Sequence, residues 1–249
     1  MLRDTFNRGK VTCLNIQHEL KPSVGRKEFV PPANFSNKEK GYLGLFKRHA
    51  VAFLSQNEQP QNDWGWSALA QHHGLPTRML DWTINLNVAL YFSVCNHEDI
   101  DGYVYVLRAP KKTRASMISG DDPFAIKEAT KYVSRMITPR LLAQDGLFVV
   151  FHDPVLPLDK QLRKDWAVTR IQISARCKRD MRYVLNRLGV NRASVFPGLD
   201  GLAPHLNWWN DVAPLAKGSE KWGVERVLTL DCRLNCGMKT GFYSKKLLR

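Results

Sequence analysis

The residues best suited to chemistry lie in one stretch, from position 66 to position 94. It holds two adjacent histidines, His72 and His73, then Gly74, and then Arg78 and Asp81, which are three residues apart. Histidine can act as a general acid or base near neutral pH, arginine can hold a phosphate through paired hydrogen bonds, and a carboxylate can orient the bound group. Because each buried polar group needs a partner or a ligand, the stretch predicts a site in which both histidines, Arg78 and Asp81 are catalytic.

Each of these residues also has a structural interpretation, and the sequence leaves the functional and the structural interpretations open. Arg78 and Asp81 could form a buried ion pair that fixes the turn beside them. Adjacent residues on a helix point about 100° apart, so we expect one histidine to face the core and the other to face a cleft. Gly74 favours the functional interpretation, because the absence of a side chain lets a ligand approach the backbone closely.

Two apolar helices are predicted to position the site. The first includes residues 68–72 and ends at Gly74, since Pro76 prevents its continuation. The second covers residues 85–94, with Thr83 or Asn85 as its N-cap. We therefore expect the site to be a cleft between two helices.

The remaining pattern predicts an α+β fold. Further helices are expected at 38–56, 123–136, 175–188 and 199–209, and strands at 103–107, 146–152, 168–174 and 224–230. The predicted buried face of the 38–56 helix consists of Tyr42, Leu45, Phe46, His49 and Phe53. These elements indicate one compact domain over residues 1–209. A short basic extension over residues 210–249 packs on this domain or follows it.

The net charge of +14 is concentrated in one part of the chain. Residues 159–192 contain ten lysines and arginines against three aspartates, which gives +7 in 34 residues. A concentrated basic patch favours a phosphate-rich partner, RNA or DNA, although a solvated helix face would give the same pattern. The residues expected to contact the nucleic acid are Arg163, Lys164, Arg176, Arg179 and Arg182.

Six residues are candidates for holding a cofactor. Arg8 and Gly9 could cradle a pyrophosphate, and Gly74 leaves room for a ligand. Trp82 could stack on a base or a nicotinamide ring, or could be a core residue instead. The other two, Arg140 and Gln144, are one turn apart if Pro139 begins a short helix, so both could contact one polar ligand.

Several ordered blocks of the sequence resemble the FRG domain family. The block HHGLPTRMLDW, followed by NVALYFSV, is similar to the core signature of this family. Residues 6–9, Phe-Asn-Arg-Gly, resemble the Phe-Arg-Gly element that names it, here with Asn7 inserted or displaced. Residues 101–106, Arg140 with residues 144–148, and residues 194–202 resemble its later blocks. The family occurs in bacteria and phages, sometimes beside defence and toxin genes. The resemblance thus implies a toxin or phage-defence effector with an antitoxin or defence-system partner.

Arginines, a histidine pair, aromatic rings and an amide together suit the binding of a pyrophosphate nucleotide. The leading hypothesis is an ADP-ribosyltransferase that consumes NAD and modifies an acceptor, with nucleic acid as the expected acceptor. The alternatives are a metal-independent ribonuclease that uses the histidine pair, and a non-catalytic module that binds nucleic acid or nucleotides. No metal is expected, because no HExxH motif or paired Cys/His spacing occurs.

The sequence also predicts the compartment. No apolar run approaches the length of a membrane span. The five cysteines are scattered, which is typical of reduced thiols. A cytoplasmic protein without membrane contact is therefore expected.

The basic patch yields a first prediction. Affinity for RNA or DNA should fall steeply from low to moderate salt, because contacts to phosphates release counterions. Reversing Arg176, Arg179 and Arg182 to glutamate should weaken binding further, as measured by fluorescence anisotropy. A flat salt dependence, or unchanged binding by the triple variant, would contradict a nucleic-acid partner.

Overall fold

The computed structural model describes residues 9–13, 19–26, 35–109, 122–134, 138–217 and 240–243. For residues 9–13, 35–36, 213–217 and 240–243 it describes the backbone only.

The described strands form one antiparallel sheet of seven strands in the order β4-β5-β2-β1-β3-β6-β7. The strands are β1 (Gly9–Cys13), β2 (Met79–Thr83), β3 (Gly102–Arg108), β4 (Thr130–Tyr132), β5 (Gly146–Val150), β6 (Ala167–Ile173) and β7 (Thr240–Tyr243). β1 lies between β2 and β3, with Val11 opposite both Thr83 and Val106. The polar stretch around residue 80 is therefore on a strand near the middle of the sheet.

Helices connect these strands. The α-helices are α1 (Phe35–Ala50), α2 (Asp63–His72), α3 (Leu86–Val94), α4 (Pro139–Ala143), α5 (Ala175–Arg187), α6 (Arg192–Val195) and α7 (Leu199–Lys217). Short 3-10 turns cover Ser23–Gly25, Val51–Phe53, Gln56–Glu58 and Leu158–Lys160. In the part of the chain that the structure describes, no helix is both long enough and apolar enough to cross a bilayer.

Local sequence signals explain where the helices near the site begin and end. The Asn85 side chain accepts hydrogen bonds from the backbone N–H groups of Asn87 and Val88, so it caps α3 as predicted. Thr138 caps α4, with Pro139 in its first turn, as expected for the start of a short helix. Gly74 has a φ of 90°, which confirms it as the left-handed residue after α2.

The two faces of the sheet pack against different cores. On β2, Leu80 and Trp82 point into a cluster with Leu107, Leu147 and Val149. Because side chains alternate along a strand, Met79, Asp81 and Thr83 point to the opposite face. On that face the helices bury Met79 and Thr83 but leave Asp81, which lies between them, accessible. The layer of helices thus has a gap over the middle of β2.

The α+β fold class is confirmed, but one predicted helix, one predicted helix face and the predicted form of the site are wrong. Residues 123–134 form turns and the short strand β4 instead of a helix. On α1, Tyr42 and Leu45 are exposed, as is Phe53 beyond it, whereas Glu39 and Leu43 are buried. The predicted face was therefore displaced around the helix axis. The two central helices are separated by β2, so the site is not a simple cleft between them.

Two more expectations concern the end of the chain and the thiols. α7 runs through position 209 to Lys217, so the helix continues across the expected domain boundary. The predicted strand at 224–230 lies outside the described residues. Cys177 is disulfide-bonded and Cys95 is free, which corrects the expectation that all five thiols are reduced.

Arg78 does not pair with Asp81. Its guanidinium binds Glu39 of α1, with Nε and Nη2 at 2.9 and 2.8 Å from Oε2. The backbone N–H of Arg78 also donates to Oε1 of Glu39, at 2.9 Å. Both side chains are almost fully buried, with exposures of 2% and 4%. The predicted buried ion pair thus exists with a different partner, one that lies 39 residues earlier in the chain.

This pair generates a prediction about stability. Arg78→Ala should lower the free energy of unfolding by roughly 3–5 kcal/mol, because the Glu39 carboxylate would be left buried without its counterion. Chemical denaturation measures the change. Lys47→Ala, which removes a partly exposed ion pair with Asp63, is the control and should cost no more than about 1 kcal/mol. Adding Glu39→Leu to Arg78→Ala should recover part of the loss. Strict additivity of the two substitutions would show that the charges are not coupled.

Candidate functional site

The gap in the helix layer forms a cavity of about 180 Å³ over β2. Its polar lining comes from Gln71 and His72 at the end of α2, Asp81 and Thr83 on β2, and Arg140 and Gln144 at α4. Phe92, Leu141 and Phe148 provide an apolar wall, and Trp82 borders the same space. The cavity therefore places a carboxylate, a guanidinium, an imidazole and two amides against aromatic rings.

A second cavity, of about 280 Å³, shares Gln71 and Asp81 with the first. Its other lining residues are Ser23, Arg26, Gly74, Leu75, Met79 and Leu80. The 3-10 turn at Ser23–Gly25 is held against the end of the α2–β2 connection, where the Thr77 backbone N–H donates to Oγ of Ser23 at 3.3 Å. Asp81 is thus at the boundary of two cavities, with Arg140 in one and Arg26 in the other.

Asp81 is the electrostatic centre of the site. Removal from water by the surrounding protein raises its pKa, while a hydrogen bond from Gln71 and the charges of Arg140 and Arg26 act in the opposite direction. Gln71 is oriented by Thr77, whose hydroxyl donates to the Gln71 amide oxygen. That contact leaves the NH₂ group of Gln71 to donate to the carboxylate.

His72 faces the first cavity as a neutral imidazole. Partial burial lowers its pKa to about 4, with further contributions from the nearby Arg140 and His73. At neutral pH only about one molecule in a thousand would carry the proton. His72 can therefore accept a proton or a hydrogen bond, but it is a poor general acid at neutral pH.

The two histidines differ in exposure and in position, although not in the expected way. His73 caps the end of α2 and is exposed, and its ring lies 5.0 Å from that of His72 at an angle of 89°. Neither histidine is in the core, which corrects the expectation that one would be. The helical geometry does separate them as expected, since His72 lines the cavity and His73 does not.

Arg140 and Gln144 share the cavity, as their spacing predicts. The Gln144 amide N–H donates to the Val195 carbonyl at 3.2 Å, and its backbone carbonyl accepts from the Thr83 hydroxyl at 2.6 Å. Arg140 lies over the ring of Phe196, at 4.6 Å from the guanidinium carbon to the ring centre. Burial and the charge of Arg192 lower the pKa of Arg140, and Asp81 raises it.

The structure does not bring every predicted residue to this site. Arg78 lies between Glu39 and the carbonyls of Phe124 and Phe151, so its guanidinium is engaged away from the cavity. Trp82 borders the cavity, but it is 2% exposed and packs in the core on the other face of the sheet. Gly9 begins β1, and Arg8 lies outside the described residues.

The lining residues that sequence reasoning missed include Gln71, Phe92 and Arg26. Gln71 precedes the histidine pair directly and could have been included on position alone. Phe92 belongs to the apolar run of α3, and its role depends on which side of that helix meets the gap. Arg26 is a lone arginine in a loop, and nothing in its sequence context indicates that it lines a cavity.

The basic stretch is divided between structural and exposed side chains. Lys178 is 1% exposed and donates to the carbonyls of Asn96, His97 and Ile100 at 2.6–3.1 Å, so it closes the loop after α3. Arg163 pairs with Glu128 at 2.5 Å. The exposed cations of the stretch include Lys164, Arg176, Arg179 and Arg187.

Comparison with known families identifies part of the chain. Residues 5–102 match the family described as the FRG domain. The chain carries an FRG domain. The match covers about two fifths of the chain, from before β1 to the first residue of β3, and includes Gln71, His72, Gly74 and Asp81. Arg140 and Gln144 lie beyond the match, and the fold brings them to the same cavity. No curated protein and no solved structure matches the chain.

Within the described residues, no three side chains of the types that bind metals are grouped together. This finding does not test metal binding, so the expectation that the protein needs no metal stays a prediction.

The lowered pKa of His72 predicts how stability depends on pH. Below about pH 6.5 the unfolded chain binds a proton on this residue while the folded protein does not, so folding is weakened as pH falls toward 4. His72→Gln removes this effect. The melting temperature of the variant should fall less between about pH 7.5 and pH 5 than that of the wild type. Equal losses in the two proteins would show that His72 is not held neutral.

Proposed function

We propose that this protein binds NAD across the two cavities and transfers its ADP-ribose to an acceptor. The observation that carries the proposal is the position of Asp81, a carboxylate at the boundary of both cavities with an arginine on each side. Nucleotide recognition needs cations for the pyrophosphate and a hydrogen-bond acceptor for the ribose, and this arrangement supplies both.

The pyrophosphate is assigned to the arginines. A guanidinium can bind two phosphate oxygens at once, and it keeps its charge even when partly buried. Arg140 is exposed, lies over Phe196 and is close enough to Asp81 and Arg192 to feel both charges. A dianionic group would balance the excess of positive charge, which Asp81 alone offsets only in part. Arg8 lies outside the described residues and stays a further candidate for this contact.

The ribose next to the nicotinamide is assigned to Asp81 and Gln71. Cleavage of an N-glycosidic bond passes through a transition state in which the ribose carries positive charge, and a carboxylate near the ring stabilises that charge. The bond from C1′ to the nicotinamide nitrogen breaks, and its electron pair neutralises the pyridinium. The nucleophile of the acceptor then forms a bond to C1′ and loses its proton to a base.

The nicotinamide is assigned to the apolar wall of the first cavity. Phe92 and Phe148 offer aromatic surface, and Gln144 offers an amide within the same cavity. His72 is neutral and can accept the proton of the acceptor or a hydrogen bond from the carboxamide. Trp82 and Arg78 have no part in this assignment, because their side chains are buried in other contacts.

The ribonuclease alternative has less support. Cleavage of RNA by a histidine pair needs one protonated and one neutral imidazole in contact with the same phosphate. His72 is neutral at pH 7, and His73 lies outside the lining of the cavity. A role as a toxin or as a phage-defence effector would follow from transfer to an essential acceptor, and it stays a hypothesis, as does any antitoxin.

The test combines binding with turnover. Purified protein incubated with NAD should release nicotinamide, detected by liquid chromatography, and calorimetry should show binding of NAD and ADP-ribose. Asp81→Asn should reduce release by about 100-fold or more, since it removes the charge that stabilises the transition state, yet it should still bind NAD. Arg140→Gln should weaken binding itself.

Arg187→Gln is the matched control, because Arg187 is an exposed arginine at the end of α5 and does not line either cavity. Its binding and release should equal those of the wild type. If neither NAD nor ADP-ribose binds at millimolar concentration, the transferase proposal is wrong. Cleavage of RNA in the presence of EDTA would then support the ribonuclease, and binding of a nucleotide without any turnover would support the non-catalytic module.

A further inference from the structure

A face that combines aromatic and basic side chains lies where α5 and α7 meet. Tyr183 of α5 and Trp209 of α7 stack in parallel, with ring centres 6.4 Å apart and planes at 8°. Arg176 and Arg179 precede Tyr183 by seven and four residues, so the three side chains form one stripe along α5. We call Arg176, Arg179, Tyr183, Trp208 and Trp209 the α5–α7 face.

The rings of this face are partly accessible, and both arginines are exposed. On the α7 side, Leu202 and Leu206 are 41% and 53% exposed, and they precede Trp209 by seven and three residues. The face thus offers flat aromatic and apolar surface beside positive charge.

Cations continue from this face toward the first cavity. Arg182 lies over the ring of Trp208, with 4.5 Å from the guanidinium carbon to the ring centre. Arg192 and Arg140 both lie over the ring of Phe196, at 5.0 and 4.6 Å. Arg182 and Arg192 both lie close enough to Tyr91 to act on its hydroxyl, and Arg140 lines the cavity, so the positive charges lead from the α5–α7 face toward the candidate site.

We propose that the α5–α7 face binds a single-stranded nucleic acid. Sites for single strands combine a basic path for the phosphates with aromatic rings on which unpaired bases stack. A duplex keeps its bases stacked inside the helix, so it could use the arginines but not the rings. The concentration of exposed arginine favours a polyanion over a protein partner of mixed charge.

This inference deepens the proposed function by naming the acceptor class. Its role as acceptor rests on the proposed transfer of ADP-ribose, since the cations would lead the strand toward the cavity that holds NAD. Binding of the strand does not depend on NAD. It can therefore be tested separately, and failure of one proposal can be distinguished from failure of the other.

The experiment measures fluorescence anisotropy with a labelled oligonucleotide, as a single strand and as a duplex of the same sequence, without NAD. The single strand should bind more tightly. Trp209→Ala should weaken single-strand binding by about tenfold or more, because a base loses its stacking partner, and should leave duplex binding unchanged. Arg176→Gln with Arg179→Gln should weaken both, and it should reduce the salt dependence.

Two remote substitutions serve as matched controls. Phe53→Ala removes an aromatic ring that is 86% exposed beyond α1, and Arg48→Gln removes an exposed arginine of α1. Neither should change binding. Thermal melting verifies that each variant is folded, and the arginine pair supplies the test if Trp209→Ala does not fold. Equal affinity for single strand and duplex, or no loss in folded variants, would overturn the proposal. Self-association through this face without oligonucleotide binding, seen by sedimentation, would overturn it in favour of a protein interface.

Discussion

The buried ion pair between Arg78 and Glu39 is the interaction on which the candidate site depends. Arg78 immediately precedes β2, and its backbone and side chain both bind the same carboxylate. The pair therefore fixes α1 against the residue that leads into the strand carrying Asp81. Guanidinium contacts to the carbonyls of Phe124 and Phe151 join two further segments to the same point. Such a charge is expensive to bury, so the geometry must be nearly complete before it stabilises the fold.

The site exists because the helices that cover this face of the sheet leave a gap over β2. Helices bury Met79 and Thr83 on the same face of β2 that carries Asp81, and the gap between α2, α3 and α4 leaves this carboxylate accessible. The protein around the gap still displaces water from both groups, which raises the pKa of the accessible Asp81 and lowers that of His72. Perturbed titration in a concave site is a frequent property of functional residues. The arginines on both sides support the proposal of an anionic ligand at this place.

The basic stretch illustrates how charge counted along a sequence differs from charge available on a surface. Lys178 is buried under three carbonyls, and Arg163 and Arg182 have acidic partners. Arg176 and Arg179 stay exposed beside a pair of stacked aromatic rings. Burial and ion pairing thus leave fewer exposed cations than the count along the sequence, and two of these cations, Arg176 and Arg179, lie on the α5–α7 face.

Local signals in the sequence determined the helices α2, α3 and α5, the Asn85 cap and the left-handed Gly74. They also determined that Arg140 and Gln144, one turn apart, face the same cavity. Each of these depends on residues within a few positions of one another. Only the tertiary structure decided that Arg78 binds Glu39 and that Arg26 joins the site. It also decided that Asp81 is left uncovered while its neighbours on β2 are buried. These outcomes depend on contacts between residues far apart in the chain, and neither helical periodicity nor residue type records which distant segment will meet a given side chain.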